Sequence, residues 1–121
     1  VSPVELRLPD SFKQILTAAG VTFKETVDPA PILPEADVLY VARIMKERFS
    51  SVEEYERLKD SYITNAETLK KMKTTAIIMA ALPRVGEIDP AIDADPRAAY
   101  FREAKNGLYV RMALLLYALG L

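Results

Sequence analysis

This sequence predicts an α/β domain in which a parallel sheet carries helices on both faces. Three observations predict it. Val38-Leu39-Tyr40-Val41-Ala42 and Ala76-Ile77-Ile78-Met79 are short, unbroken apolar runs, as strands buried on both sides require. The segments around them place apolar residues at helical spacing. Strand and helix signals alternate along the chain, the order a parallel sheet with crossover helices needs.

The elements follow in order. Pro9-Asp10-Ser11 opens a first helix in which Phe12, Ile15 and Leu16 share a face, and Gly20 stops it. Val21 to Glu25 alternates apolar and polar residues, which predicts a short strand near a sheet edge. Residues 27–34 hold three prolines, so this stretch is a loop with at most one helical turn. Ser51 followed by Glu54 is a capping box for a helix near Val52 to Lys59. Asn65 caps another that runs through Leu69 to about Met72. The second apolar run ends in Leu82-Pro83. Pro96 is placed in the first turn of a helix through Ala104. After Asn106-Gly107 a separate last helix spans Leu108 to Leu119, with Leu108, Met112, Leu115, Leu116 and Leu119 along one stripe.

Composition narrows the chemistry. The chain is 121 residues long and half hydrophobic, enough for one domain with a single core. Sixteen basic and seventeen acidic residues leave a net charge of −1, so no basic field is available for nucleic acid. There is no cysteine and no histidine. Thiol nucleophiles, disulfides, zinc sites of the usual kind and histidine acid–base catalysis are therefore excluded. A chain without cysteine fits the cytoplasm. No apolar run approaches the roughly 18 residues that span a bilayer, and no secretory pattern opens the sequence. Glycines stand alone at 20, 86, 107 and 120, so no glycine-rich phosphate loop is present.

The motifs that carry most information lie at strand ends. Residues 40 to 48 read Tyr-Val-Ala-Arg-Ile-Met-Lys-Glu-Arg, and residues 82 to 88 read Leu-Pro-Arg-Val-Gly-Glu-Ile. Asp95-Pro96-Arg97-Ala98-Ala99-Tyr100-Phe101 and Asn106-Gly107 follow. Over nearly the whole chain, this order resembles the C-terminal part of the catalytic chain of aspartate carbamoyltransferases. The resemblance implies the Rossmann-like aspartate-binding domain of that family, a five-stranded parallel sheet. It also implies that the chain starts at the end of the second strand, with the first strand–helix unit missing. The implied reaction joins carbamoyl phosphate to L-aspartate in pyrimidine synthesis and needs no metal or cofactor.

Arg43 follows the first apolar run, at the edge where open α/β sheets take ligands, and its planar fork suits a carboxylate. The resemblance gives it the side-chain carboxylate of aspartate; a plain alternative is pairing with Glu47. Leu82 and Pro83 match the loop whose carbonyls contact substrate in the family, with a cis bond before Pro83. The resemblance assigns Lys46, Glu47 and Arg48 to loop stabilisation and domain closure, while Arg84, Glu87 and Arg111 read as structural. Four positions depart from the family pattern. Ala42 and Met45 replace a threonine and a glutamine, and Ala80-Ala81 replace His-Pro. Gly86 stands where an acidic residue is common.

The family's phosphate-binding Ser-Thr-Arg-Thr loop, histidine and lysine loop have no counterpart here, and the arginine for the second aspartate carboxylate belongs to the missing unit. Two readings follow. The chain is a piece or engineered derivative of an aspartate carbamoyltransferase, inactive alone and without catalytic residues of its own. Alternatively it is a non-catalytic redesigned or assembly domain that keeps only the inherited fold. An ornithine-specific relative is disfavoured, because that family typically has a cysteine-bearing loop near Leu82. Expected partners are L-aspartate or a dicarboxylate, bound weakly, and the carbamoyl-phosphate domain on which the helix 108–119 packs in the family. In its absence that helix is expected to fold back over the sheet or to pair with a second copy as a homodimer.

Overall fold

The computed structural model describes residues 1–121. Its sheet has two parallel strands, β1 (Val38–Val41) and β2 (Ile77–Ala80), in register from Val38 opposite Ile77 to Val41 opposite Ala80. Four helices surround it: α1 (Asp10–Ala18), α2 (Val52–Leu58), α3 (Ala66–Lys71) and α4 (Tyr100–Leu119). The α/β class and the parallel pairing are those the sequence predicts.

The two faces of the sheet are unequally covered. Leu39, Val41, Ile78 and Ala80 point to one side, where they join Leu69, Met72, Ile88, Ile92 and Tyr100 in a single core. Val38 and Tyr40 point to the other and are 51% and 55% exposed. Ile77 and Met79 share that face and line a groove with the middle of α4. The outer border of β2 is closed. Ile78 donates to the Arg97 carbonyl (2.8 Å) and accepts from the Ala99 amide (2.8 Å), and the Ala80 amide donates to Glu103 Oε2 (3.0 Å). No strand lies along the outer border of β1.

Helix signals worked best where capping is local. Asn65 and Thr68 form a reciprocal capping box at α3. Gly20, at φ +69°, ends α1, with the Val21 amide donating to the Leu16 carbonyl (2.9 Å). Ser51 Oγ accepts the Glu54 amide (3.1 Å) at α2, but Glu54 does not return the bond, so the predicted box is only half made.

Three expectations are corrected. Val21 to Glu25 is not a strand. Alternation says which side chains share a face, but the segment has no strand beside it: the start of the chain meets it through the Leu8 amide on Glu25 Oε1 (2.9 Å) and, just past it, the Ser2 amide on the Thr26 carbonyl (3.2 Å). Pro96 is not in a helix: α4 starts at Tyr100, because Arg97 and Ala99 spend backbone groups on β2 and Asp95 closes a turn onto the Arg97 amide (2.9 Å). Nor does Asn106-Gly107 separate two helices; α4 runs unbroken through both. Its outer half does not fold over the bare sheet face, since Leu115 and Leu116 remain 64% and 50% exposed. No helix is long and apolar enough to cross a membrane.

Candidate functional site at the carboxyl ends of the strands

Both strands deliver their C-terminal ends to the same region, and each is followed at once by a loop. Past β1 come Ala42, Arg43, Ile44 and Met45, and then a single tight turn, Lys46–Arg48. Past β2 the chain passes Ala81, makes the cis Leu82–Pro83 bond the sequence predicts, and turns through Gly86 at φ +123°. A residue with a Cβ is strained at that angle, so the loop is built around Gly86. The loops face each other across a cleft of about 290 Å³ lined by Arg43, Lys46, Glu47, Val85, Gly86 and Glu87, with Tyr55, Lys59 and Asp60 closing it from the α2 side.

Arg43 is exposed and makes no side-chain hydrogen bond or ion pair, with Glu47 or any other group. A free guanidinium beside a mixed-charge cleft can accept a carboxylate in its planar fork. Lys46, Glu47 and Arg48 are likewise unpaired. Glu87 is committed: its Oε2 accepts the Val85 amide (2.8 Å) and steadies the turn. Ala42 and Ala81 are exposed, Ala80 is buried at the end of β2, and Met45 is 39% exposed. None of these four offers a hydrogen-bonding side chain.

Arg84, by contrast, is fully engaged. Its guanidinium grips both oxygens of Asp93, Nη2 to Oδ2 at 2.7 Å. The Tyr100 hydroxyl donates to Asp93 Oδ1 as well, and the guanidinium lies 5.9 Å from the Tyr100 ring centre and 5.6 Å from that of Phe101. The Arg84 bonds, helped by Tyr100, hold the Asp93 carboxyl at about 2. Burial, then the bond to Asp93, pushes the Tyr100 hydroxyl up to about 12. A second clasp joins Arg97 to Asp95 (Nε to Oδ1 and Nη2 to Oδ2, both 2.9 Å), and Arg97 Nη1 also donates to the Leu69 carbonyl (2.8 Å). That pairing lowers the Asp95 carboxyl to about 2. These arginines tie the loop after β2 and the start of α4 to neighbouring carboxylates. Arg111 has no partner and lines the groove between α4 and β2.

Sequence reasoning missed two parts of this region. Asp93 and Tyr100 gave no local signal, because their partner Arg84 lies across an irregular loop. Arg7 was also missed: it lines a second cleft, of about 540 Å³, that Arg43, Met45 and Arg48 share with the segment Glu5–Pro9.

A parallel sheet whose strands end at facing loops, with a free arginine just past β1, is the arrangement of an α/β domain that receives small ligands at the carboxyl ends of its strands. Comparison with known proteins gives the particular family. The profile of the aspartate/ornithine carbamoyltransferase Asp/Orn-binding domain matches residues 1–118, and the chain belongs to this family. It is 50% identical over 120 residues to the multifunctional protein pyr1-3 of Dictyostelium discoideum, covering 99% of this chain and 5% of that protein. It is 48% identical over 121 residues to the aspartate carbamoyltransferase catalytic subunit of Clostridium acetobutylicum, covering 99% of this chain and 39% of that subunit. The catalytic subunit of M. jannaschii aspartate transcarbamoylase superposes with a TM-score of 0.84 at 44% identity, over 95% of this chain and 37% of that one. The chain thus spans about two fifths of the catalytic subunits it matches.

Proposed function

We propose that these residues form the aspartate-recognising part of an aspartate carbamoyltransferase, with Arg43 taking a carboxylate of L-aspartate or a dicarboxylate analogue. The observation that carries the reading is the free Arg43 guanidinium beside the facing loops, in a chain of this family. In the complete reaction the aspartate amine forms a bond to the carbamoyl carbon, the carbon–oxygen bond to phosphate breaks, phosphate leaves with the electron pair, and the nitrogen loses a proton. Leu82 and Pro83 line the substrate loop in this reading, while Lys46, Glu47, Arg48 and Arg84 hold the loops that close over it.

The 121 residues do not turn over by themselves. Nothing in them supplies the cluster of positive groups and helix-terminal amides that a phosphoryl group needs, and Met45, Ala80 and Ala81 remove polar or rigid groups from the loops. The outer half of α4 is the surface on which the carbamoyl-phosphate domain packs; without that domain, a second copy covers it in a two-fold dimer. The test is direct. Carbamoyl aspartate formation by this chain, above the uncatalysed rate and lost in Arg43→Ala, would overturn the inactivity. Succinate titration that leaves amide signals around Arg43 unmoved would overturn the binding. A mass by sedimentation that stays monomeric at all concentrations would overturn the dimer.

A second reading is favoured by the same substitutions together with the bare stripe of α4. It is a non-catalytic redesigned or assembly domain. Self-association without any dicarboxylate binding would select it.

A further inference from the structure

Ile77 and Met79 alternate along β2 onto the sheet face that the core leaves uncovered, and the middle of α4 runs beside them. On the helix, Glu103, Gly107 and Arg111 follow one another at four-residue spacing, and Arg102, Asn106 and Val110 form the adjacent row. Strand and helix enclose a groove of about 510 Å³, a size that suits a small molecule. None of these residues lines the clefts at the strand ends, so the groove stands apart from the Arg43 reading.

The chemistry of the groove is divided. Ile77, Met79 and Val110 give it an apolar floor. The guanidiniums of Arg102 and Arg111 and the amide of Asn106 line it without a side-chain hydrogen bond or ion pair of their own. Glu103 is its one acidic residue, and Oε2 is taken by the Ala80 amide at the end of β2 (3.0 Å). Two arginines against one glutamate leave a single net positive charge. Gly107 supplies the room. Glycine is unfavourable inside a helix, but here the missing side chain leaves space for Arg111 to fold back along α4, with Nη1 3.7 Å from where a Cβ would stand.

We propose that this groove binds a small amphiphilic monoanion, a carboxylate carried on an apolar chain. The chain lies on Ile77, Met79 and Val110, and the head meets Arg111 and Arg102. An uncharged apolar ligand would leave both guanidiniums unused, and a second negative charge would meet Glu103. One charge on an apolar body is the class that fits both halves of the groove.

The test titrates the 121-residue chain with sodium octanoate, with octanol as its uncharged counterpart, and with succinate. Methyl signals of Ile77, Met79 and Val110 are followed by NMR. Octanoate is expected to shift them with a dissociation constant of about 1 mM. Octanol binds about fivefold more weakly, because a charge-assisted contact at the rim is lost, and succinate, which has no apolar chain, leaves the signals unmoved. Replacing both arginines, Arg102→Ala with Arg111→Ala, brings octanoate down to the level of octanol. Gly107→Leu keeps a good helix former but fills the groove and removes binding of both ligands; its unfolding midpoint establishes that it is folded. Octanol or succinate acting as strongly as octanoate on wild type overturns the proposal. Shifts spread over Leu114 to Leu119 instead of the groove also overturn it, since they report only exposed apolar surface. Signals that move with protein concentration and not with octanoate place a second copy in the groove and overturn it too. So does the absence of any shift at about 10 mM octanoate.

Discussion

Arg84 and Asp93 clasp each other through two parallel contacts, and the Tyr100 hydroxyl closes on the same carboxylate from the first turn of α4. One carboxylate thereby joins the loop after β2, the turn Pro90–Ile92 and the long helix. Tyr100 is fully buried, so its hydroxyl must have a partner, and Asp93 is the one it has. Removing the hydroxyl in Tyr100→Phe is expected to cost about 1 kcal/mol and to raise the carboxyl pKa of Asp93 from its low value. Urea unfolding gives the first quantity, and the carboxyl carbon shift of Asp93 against pH gives the second.

Acid should weaken the fold in a defined window. Asp93 and Asp95 sit at about 2, below the ordinary 3.8, because each accepts from an arginine. A carboxyl depressed in the folded state contributes stability above its unfolded value. That contribution is lost as the pH falls from near 4 towards 2. Unfolding midpoints should therefore drop between those limits, and Asp93→Asn should flatten part of the drop. At the other end, Tyr100 at about 12 keeps its proton in the fold while the unfolded chain ionises near 10. Stability should decline between those values, and Tyr100→Phe should remove that alkaline limb.

Gly107 lies inside α4 with no positive φ, and a Cβ added there would meet only Arg111 Nη1 at 3.7 Å, an ordinary contact. Gly107→Ala is therefore expected to stabilise the helix by about 1 kcal/mol. Thermal unfolding should shift upward by a few degrees. A fall instead would mean that a partner's backbone approaches α4 closely at Gly107.

Met45 lines the same cleft as Arg7 and Arg43 and cannot donate a hydrogen bond. Met45→Gln restores a donor beside Arg43. Succinate affinity is expected to rise about fivefold, roughly the value of one added hydrogen bond, without a change in unfolding midpoint. The comparison is made by titration of both proteins at one ionic strength.

What the sequence made legible was what local rules control. Val38 to Val41 and Ile77 to Ala80 declared themselves as apolar runs too short for helices, and Asn65 and Gly20 marked helix ends through their own bonding. Arg43 was visible because it immediately follows one of those runs. The alternation of Val21 to Glu25 could not say whether a neighbouring strand exists, since that is a property of the sheet and not of the segment. Asn106-Gly107 read as a break because glycine disfavours helix, yet its cost of about 1 kcal/mol is spread over a twenty-residue helix bonded on both sides. The Arg84–Asp93–Tyr100 cluster and Arg7 depend on contacts between irregular segments. No periodicity encodes them.

The sheet can grow in one direction only. Arg97, Ala99 and Glu103 occupy the far side of β2, so any strand that extends the layer must add to β1, the strand that leads into Arg43. Extending the sheet would therefore alter the surroundings of the candidate cleft. In the proposed reading, a dicarboxylate held by Arg43 and a strand docked on β1 would favour each other by the same factor, because such coupling is reciprocal. An uncovered strand border beside a candidate binding loop makes ligand affinity, in this reading, a reporter of whether that border is paired.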